Sequence, residues 1–253
     1  MGFDLWKSRN LSMVACRIKA MSEYLNKIVA CLERIENEEQ ERLNAVSRLV
    51  ADTIKNDGLI FVFGCGHSHL PGLDAFYRAG GLANVSPMLD TDLMLHNGAA
   101  KSSRMEKMSG IAAEIFRRYT PSEKDMIFIF SASGKNQVPI EMAQAAKSAG
   151  VKSVGVSAFS YIEKGGKLHE NVDIAIDCKI PYGDACMEVG DIKMGGLSTY
   201  AACFILNSCL INGAKLALQE GVKPPVYISG NVEGGREHNI QLENLYMGRV
   251  KHL

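Results

Sequence analysis

Apolar residues recur at three- and four-residue spacing from Leu25 to Ile54. Leu25, Ile28, Val29, Leu32 and Ile35 form one stripe, and Leu43, Val46, Val50 and Ile54 resume it. That period predicts amphipathic helix over 23–56. The charged stretch around Asn37–Gln40 interrupts the stripe, so a break or kink is expected there, and Asp57-Gly58 closes the segment. The pattern then changes. Leu59–Phe63 is an unbroken apolar run bounded by glycines, which reads as a strand buried on both faces. Asp125–Phe130 repeats that reading, Ser153–Val156 and Val172–Ile176 follow it, and Asn84–Leu89 is a weaker strand. Helices are predicted from about Pro71 to Gly80-Gly81, over Ser103–Tyr119 before Pro121, over Val138–Ala149 before Gly150, and over Gly195–Gln219 before Gly221.

Strands alternating with helices predict a parallel sheet with helices on both faces. Ligands of such sheets sit beyond the carboxyl ends of the strands. No repeat, low-complexity stretch or charge block marks a second unit, so residues 21–253 are expected to form one domain with an N-terminal helix and a C-terminal tail. Met21-Ser22 resembles a second start, and residues 1–20 are set apart as an extension, possibly not native.

Composition narrows the class. The chain has 253 residues, 47% hydrophobic and 22% charged, enough to bury a core without disulfides. Twenty-eight Lys and Arg balance 28 Asp and Glu, which disfavours a nucleic-acid partner. The seven cysteines are odd in number and lack a CxxC pair, and the first twenty residues lack an apolar signal core; reduced thiols and a cytoplasmic location are expected. Leu197–Ile211 is strongly apolar but carries Ser198, Thr199, Asn207 and Ser208 and falls short of the ~20 residues of a membrane span. A helix in the core or at a subunit contact is expected instead, and no membrane partner.

Two turns carry candidate chemistry. Ser131-Ala132-Ser133-Gly134-Lys135-Asn136 leaves a buried strand and enters a helix. Free amides and the dipole at a helix start attract an anion, the hydroxyls of Ser131 and Ser133 can converge, and Gly134 allows close approach. An ordinary capped turn would look the same. Gly64-Cys65-Gly66-His67-Ser68-His69 repeats the logic, with Gly66 and Ser68. It is not GxGxxG, since His69 stands in the last position, and no GxxxxGK[ST] occurs, so no nucleotide cofactor is expected. Cys65, His67 and His69 invite a metal reading, but three ligands on one tight turn would compete with an anion for the same backbone, and no metal is expected.

These turns, the helix after Ser131–Gly134 and the strand Ser153–Val156 resemble the SIS (sugar isomerase) domain. From about Met21 to the C-terminus the chain resembles the UPF0309 family of bacterial SIS proteins, a match to which Leu95-His96-Asn97-Gly98 and Gly230–Asn239 contribute. The resemblance implies an α/β, flavodoxin-like three-layer sandwich with a five-stranded parallel sheet, a homodimer, and a phosphorylated sugar as ligand near the dimer interface. It implies that Gly66, Ser68, Ser131, Ser133 and Asn136 hold the phosphate, although the family commonly has Ser or Thr where Asn136 stands. The implied function is an aldose–ketose isomerase or related lyase, or else a non-catalytic phosphosugar sensor acting through a partner.

Either reaction needs a base and an acid. The candidates are Glu106, expected in the first turn of the Ser103–Tyr119 helix, His96 in a loop, Glu188 before the long apolar helix, and His238 in a polar tail that could reach a second subunit. Each has a plain alternative as a solvated surface group, and for Glu106 as a first-turn carboxylate favoured by the helix dipole.

Overall fold

The structure, a computed structural model, describes residues 23–253; the expected extension at 1–20 and Cys16 lie outside the described residues. Helix α1 covers residues 23–38 and α2 covers Gln40–Lys55, with the break at Glu39 inside the charged stretch where it was expected. The break has a physical cause. The Glu39 side chain is buried, and its carboxylate is held by Arg42 at 2.7 Å and Lys179 at 2.7 Å, so the backbone turns to keep it there.

Five parallel strands follow: β1 (Ile60–Gly64), β2 (Val85–Met88), β3 (Met126–Phe130), β4 (Lys152–Ser157) and β5 (Ile174–Asp177). Their spatial order is β2-β1-β3-β4-β5, the flavodoxin-like arrangement. Residues of β1 and β3 alternate between two cores. Ile60, Val62, Met126, Phe128 and Phe130 pack with α1, α2 and α7 (Ser198–Gln219) on one face. Phe61, Phe63, Ile127 and Ile129 pack on the other with α5 (Ile111–Tyr119) and α6 (Gln137–Ser148). The result is the three-layer sandwich, with strands buried on both sides as their continuous apolar runs require.

Four boundaries differ from the sequence reading. The helix expected from Pro71 is a 3-10 turn at Gly66–His69 followed by a short α3 (Leu70–Ala75). The helix expected over Ser103–Tyr119 is two helices, α4 (Ala99–Met105) and α5, divided at Gly110, whose φ of 88° no helix interior allows. Gly195 and Gly196 belong to β7 (Ile192–Gly196), which forms an antiparallel hairpin with β6 (Ala185–Val189), and α7 begins only at Ser198. The polar tail contains a helix, α8 (Gly235–Tyr246), anchored by the buried Tyr246.

Helix α7 is long and apolar enough by composition to cross a bilayer, yet its Ala201, Ile205, Leu206, Cys209 and Gly213 face is buried in the protein. A Cβ on Gly213 would lie 2.3 Å from Val50 Cγ1, which shows how closely α7 and α2 approach. It is a core helix, with Ile211 and Leu218 exposed along its outer face.

Candidate functional site

The chain leaves β1 in one direction toward β2 and leaves β3 in the other toward β4, so the crevice at the carboxyl ends of β1 and β3 is a topological switch point. Both Gly/Ser turns lie there. Gly64 ends β1 in a turn so tight that a Cβ would stand 2.1 Å from the Ser68 carbonyl oxygen. Gly66 has φ of 58° and opens the 3-10 turn that presents Ser68. After β3, Gly134 has φ of 60° and sits against Ser157 and Leu168, where a Cβ would be 3.3 Å from each neighbour. Its carbonyl accepts from the amides of Lys167 at 2.8 Å and Leu168 at 3.1 Å, fixing the turn from behind.

Within the turn, Ser131 Oγ accepts from the Gly134 amide at 3.2 Å and Ser133 Oγ from the Lys135 amide at 3.3 Å. Asn136 occupies the N-cap position of α6 with extended backbone, but its side chain makes no capping bond. Among the described residues the amides of Ser133 and Asn136 find no acceptor. Unpaired amides at a helix start are the groups that hold an anion.

Ser68, His67, Ser131 and Ala132 line one recess together with Ser198 and Thr199 from the start of α7. Its enclosed volume is about 20 Å³, room for about one water and too small to enclose a sugar phosphate. The starts of α7, which lines the recess, and of α6, a few residues beyond Ser131 and Ala132, differ. That of α7 is already occupied: Asp184 Oδ1 accepts from the amides of Leu197 at 2.9 Å and Ser198 at 2.8 Å, and Oδ2 accepts from Ser198 Oγ at 2.7 Å. The start of α6 is the open one.

Glu106 is the C-cap of α4, which corrects its expected place in the first turn of a helix. Its carbonyl accepts from the Val138 amide at 3.1 Å, which ties it to the first turn of α6 and so to the Ser131–Asn136 loop. Burial pushes its carboxyl above the ordinary carboxylate range, while Asn136 and Lys107 pull the other way without cancelling the effect. The first-turn dipole explanation therefore does not apply to this carboxylate. It is a half-buried acid beside the open helix start.

His96 is exposed in a 3-10 turn at Leu95–Asn97. The turn is near the first Gly/Ser loop, since Leu95 lies 3.7 Å from where a Gly66 Cβ would be. His69, buried in that loop, has its imidazole pKa lowered, first by burial and further by His96 and His67. Glu188 and His238 are not brought to the turns. Glu188 is exposed on the hairpin strand β6 rather than in a loop before α7. His238 lies in α8, with Nε2 at 2.8 Å from the Val226 carbonyl. Val226 bridges Leu82, just before β2 and therefore at the amino end of the strands. Burial raises the Cys65 thiol far above its ordinary value, which removes it as a nucleophile. Among the described residues no group of three His, Cys, Asp or Glu side chains converges as a metal site.

Sequence reading missed Ser198, Thr199 and Asp184. The long helix was expected to start at Gly195 rather than Ser198, and the carboxylate that caps Ser198 lies 14 residues upstream, across an unforeseen hairpin.

The SIS domain family model matches residues 23–158, more than half of the chain. The chain belongs to the SIS domain family. A UPF0309 protein of Thermoanaerobacter pseudethanolicus is 38% identical over 244 residues, covering 91% of this chain and 99% of the relative, so the UPF0309 resemblance holds along nearly the whole chain. Two solved structures share the SIS fold at low sequence identity. The phosphoheptose isomerase GmhA from Neisseria gonorrhoeae has a TM-score of 0.50 at 13% identity, covering 79% of this chain and 96% of that one. The Vibrio vulnificus NanR protein complexed with ManNAc-6P has a TM-score of 0.50 at 16% identity, covering 97% of this chain and 73% of that one.

Proposed function

We propose that this SIS domain binds the phosphate of a phosphorylated sugar across the mouth of the recess. Gly66, Ser68, Ser131, Ser133 and Asn136 supply amides and hydroxyls, and Glu106 moves a proton on the sugar. The observation that carries the reading is the half-buried Glu106 carboxyl, held up in pKa beside Asn136 at the start of α6, a helix start with no side-chain cap among the described residues. A carboxyl that retains its proton closer to neutral pH is better matched to general acid–base work than a solvated one. Aldose–ketose isomerisation, or elimination beside a carbonyl, uses such a group. His96 stands near enough to the first turn to assist ring opening. Glu188 and His238 can act only on a site completed by a second copy of the chain, which fits a homodimer. The free cysteines suit a cytoplasmic setting.

The sensor reading draws on two observations: the recess itself is small, and the NanR fold, which carries ManNAc-6P in its own structure, aligns along nearly the whole chain. A thermal-shift screen of sugar phosphates, followed by NMR of the hits over hours, separates the readings. Turnover that is lost in Glu106→Gln while binding persists supports the enzyme. Binding without turnover in the wild-type protein supports the sensor. Ser131→Ala with Ser133→Ala removes two donors to a charged group, each worth about 1.5–3 kcal/mol, and unchanged affinity in that variant sinks the site.

A further inference from the structure

A second, larger pocket of about 540 Å³ opens at the same end of the sheet, between α1, the end of β5 and the β6–β7 hairpin. Its charged lining is lopsided. Lys27, Arg34, Lys179 and Lys193 face it, against the single carboxylate of Asp177. That carboxylate is spent internally: Oδ1 accepts from the amides of Phe159 and Lys179 at 3.0 Å each, and Oδ2 pairs with Lys179 Nζ at 3.2 Å. Lys179 is also engaged by Glu38 and Glu39, and Arg34 by Glu38. Among the described residues no carboxylate comes within 4 Å of Lys27 or Lys193. They approach the pocket from different elements, one from α1 and one from β7, where Glu188 stands opposite Lys193 in the hairpin without coming within 4 Å, and the lining keeps an excess of positive charge.

The backbone beneath them is held in an unfavourable shape. Lys179 has φ of 55°, in the left-handed region that costs a lysine free energy and that no glycine here relieves. Strain of this kind concentrates where a structure positions a side chain for a ligand. The Asp177 bonds hold the strained turn, and the Ser160 hydroxyl on the facing wall donates to the Ile180 carbonyl at 3.1 Å, fixing the loop that follows.

We propose that this pocket is a second anion site, separate from the Gly/Ser turns, that takes the phosphoryl group of a small metabolite through Lys27 and Lys193. The proposal does not depend on the phosphosugar reading of the first site. The test uses inorganic pyrophosphate as probe and titration calorimetry at low salt, on full-length protein carrying Ser131→Ala and Ser133→Ala so that the first site is disabled. Saturable binding is expected to persist. It is expected to weaken about tenfold or more when Lys27→Ala and Lys193→Ala are added, and to survive Lys27→Arg with Lys193→Arg. Both lysines are exposed, so the variants fold, which circular dichroism verifies. Lys124→Ala with Lys251→Ala, at the opposite end of the sheet, serves as the charge control and is expected to leave binding unchanged. Absence of saturable binding in the first-site variant overturns the proposal, as does an equal loss in the control, which would mean diffuse attraction to positive charge. Sugar-phosphate affinity that is unchanged by Ser131→Ala with Ser133→Ala, with pyrophosphate binding intact, would count against the first site alone.

Discussion

Replacing Asp184 by alanine tests the idea that the starts of α6 and α7 divide their work. Asp184 accepts two backbone amides and one hydroxyl at the head of the 22-residue α7. Losing an N-cap side chain costs about 0.5–2 kcal/mol, and losing a negative charge near a helix N-terminus a further 0.3–1 kcal/mol or so. Asp184 also has φ of 66°, a conformation that aspartate tolerates better than alanine, which adds roughly 1 kcal/mol. The expected loss in Asp184→Ala is therefore about 3 kcal/mol. At about 2–4 °C per kcal/mol for a chain of this size, the melting temperature falls by roughly 10 °C. Asp184→Asn keeps one acceptor oxygen and the tolerated backbone, so it loses about 1 kcal/mol. Urea unfolding followed by circular dichroism gives both values. The alanine variant also frees the amides of Leu197 and Ser198, so inorganic phosphate should stabilise it more than it stabilises the wild-type protein. An alanine variant within about 0.5 kcal/mol of wild type, less than the smallest cap estimate, refutes the assignment. So does a phosphate effect no larger than wild type.

Three further outcomes follow from the same structure. Gly213→Ala should destabilise the protein by about 1–2 kcal/mol although alanine is the better helix former: the added Cβ meets Val50 at 2.3 Å, and overpacking of about 1–3 kcal/mol outweighs the propensity gain of about 1 kcal/mol. Val50→Ala should recover part of that loss in a double-mutant cycle. Glu106→Gln should stabilise the fold at neutral pH. The folded pKa is raised by burial, so the ionised form carries a penalty that sets in as pH rises above the ordinary carboxylate pKa, and glutamine removes it. A chemical-denaturation series from pH 4 to 8 should show the two proteins diverging toward high pH, and parallel curves would contradict the burial argument. Asp173 shifts the opposite way: burial opposes its charge, but the amide and hydroxyl of Ser153, at 2.8 and 2.9 Å, hold its carboxyl below the usual range. Its contribution is present above the unfolded carboxylate pKa and is lost as pH falls through the folded value. Asp173→Asn should therefore flatten the acid limb of the stability curve.

The sheet was legible because a strand buried on both faces must be apolar at every position. Leu59–Phe63 and Asp125–Phe130 satisfy that with no competing helical period, and the structure places β1 and β3 there within a residue. The break between α1 and α2 was legible for a similar reason, since Glu39 interrupts an otherwise apolar stripe. The β6–β7 hairpin was not legible. Val189, Ile192 and Met194 are exposed, so no buried face forces an alternating pattern onto the sequence, and the two-residue turn Gly190-Asp191 was overlooked beside the stronger helix that follows. The tail helix α8 failed to register because it buries only Gly235 and Tyr246, too little to set a period.

The misreading at Ser103–Tyr119 bears most on function. A continuous helix would have carried Glu106 on its first turn, solvated and unremarkable. Periodicity could not see the carboxylate of Glu141, thirty-one residues on, which accepts the Gly110 amide at 2.7 Å and stabilises the break between α4 and α5. That break frees the Glu106 carbonyl from helical bonding, and the carbonyl takes the Val138 amide instead. One donor at the start of α6 is thus satisfied by the backbone of Glu106, while the amides of Ser133 and Asn136 stay open. The same tether leaves the Glu106 carboxyl half-buried at the rim. The arrangement that makes an anion cradle with an acid beside it depends on a helix that does not form, and restoring it tests the dependence. Gly110→Ala, at a φ of 88° that alanine resists, should favour a continuous helix, draw Glu106 away from Val138 and weaken sugar-phosphate binding. Amide exchange at Val138 faster than in the wild-type protein would report the lost tether directly. Unchanged exchange together with unchanged affinity would show that the break is not what positions the acid.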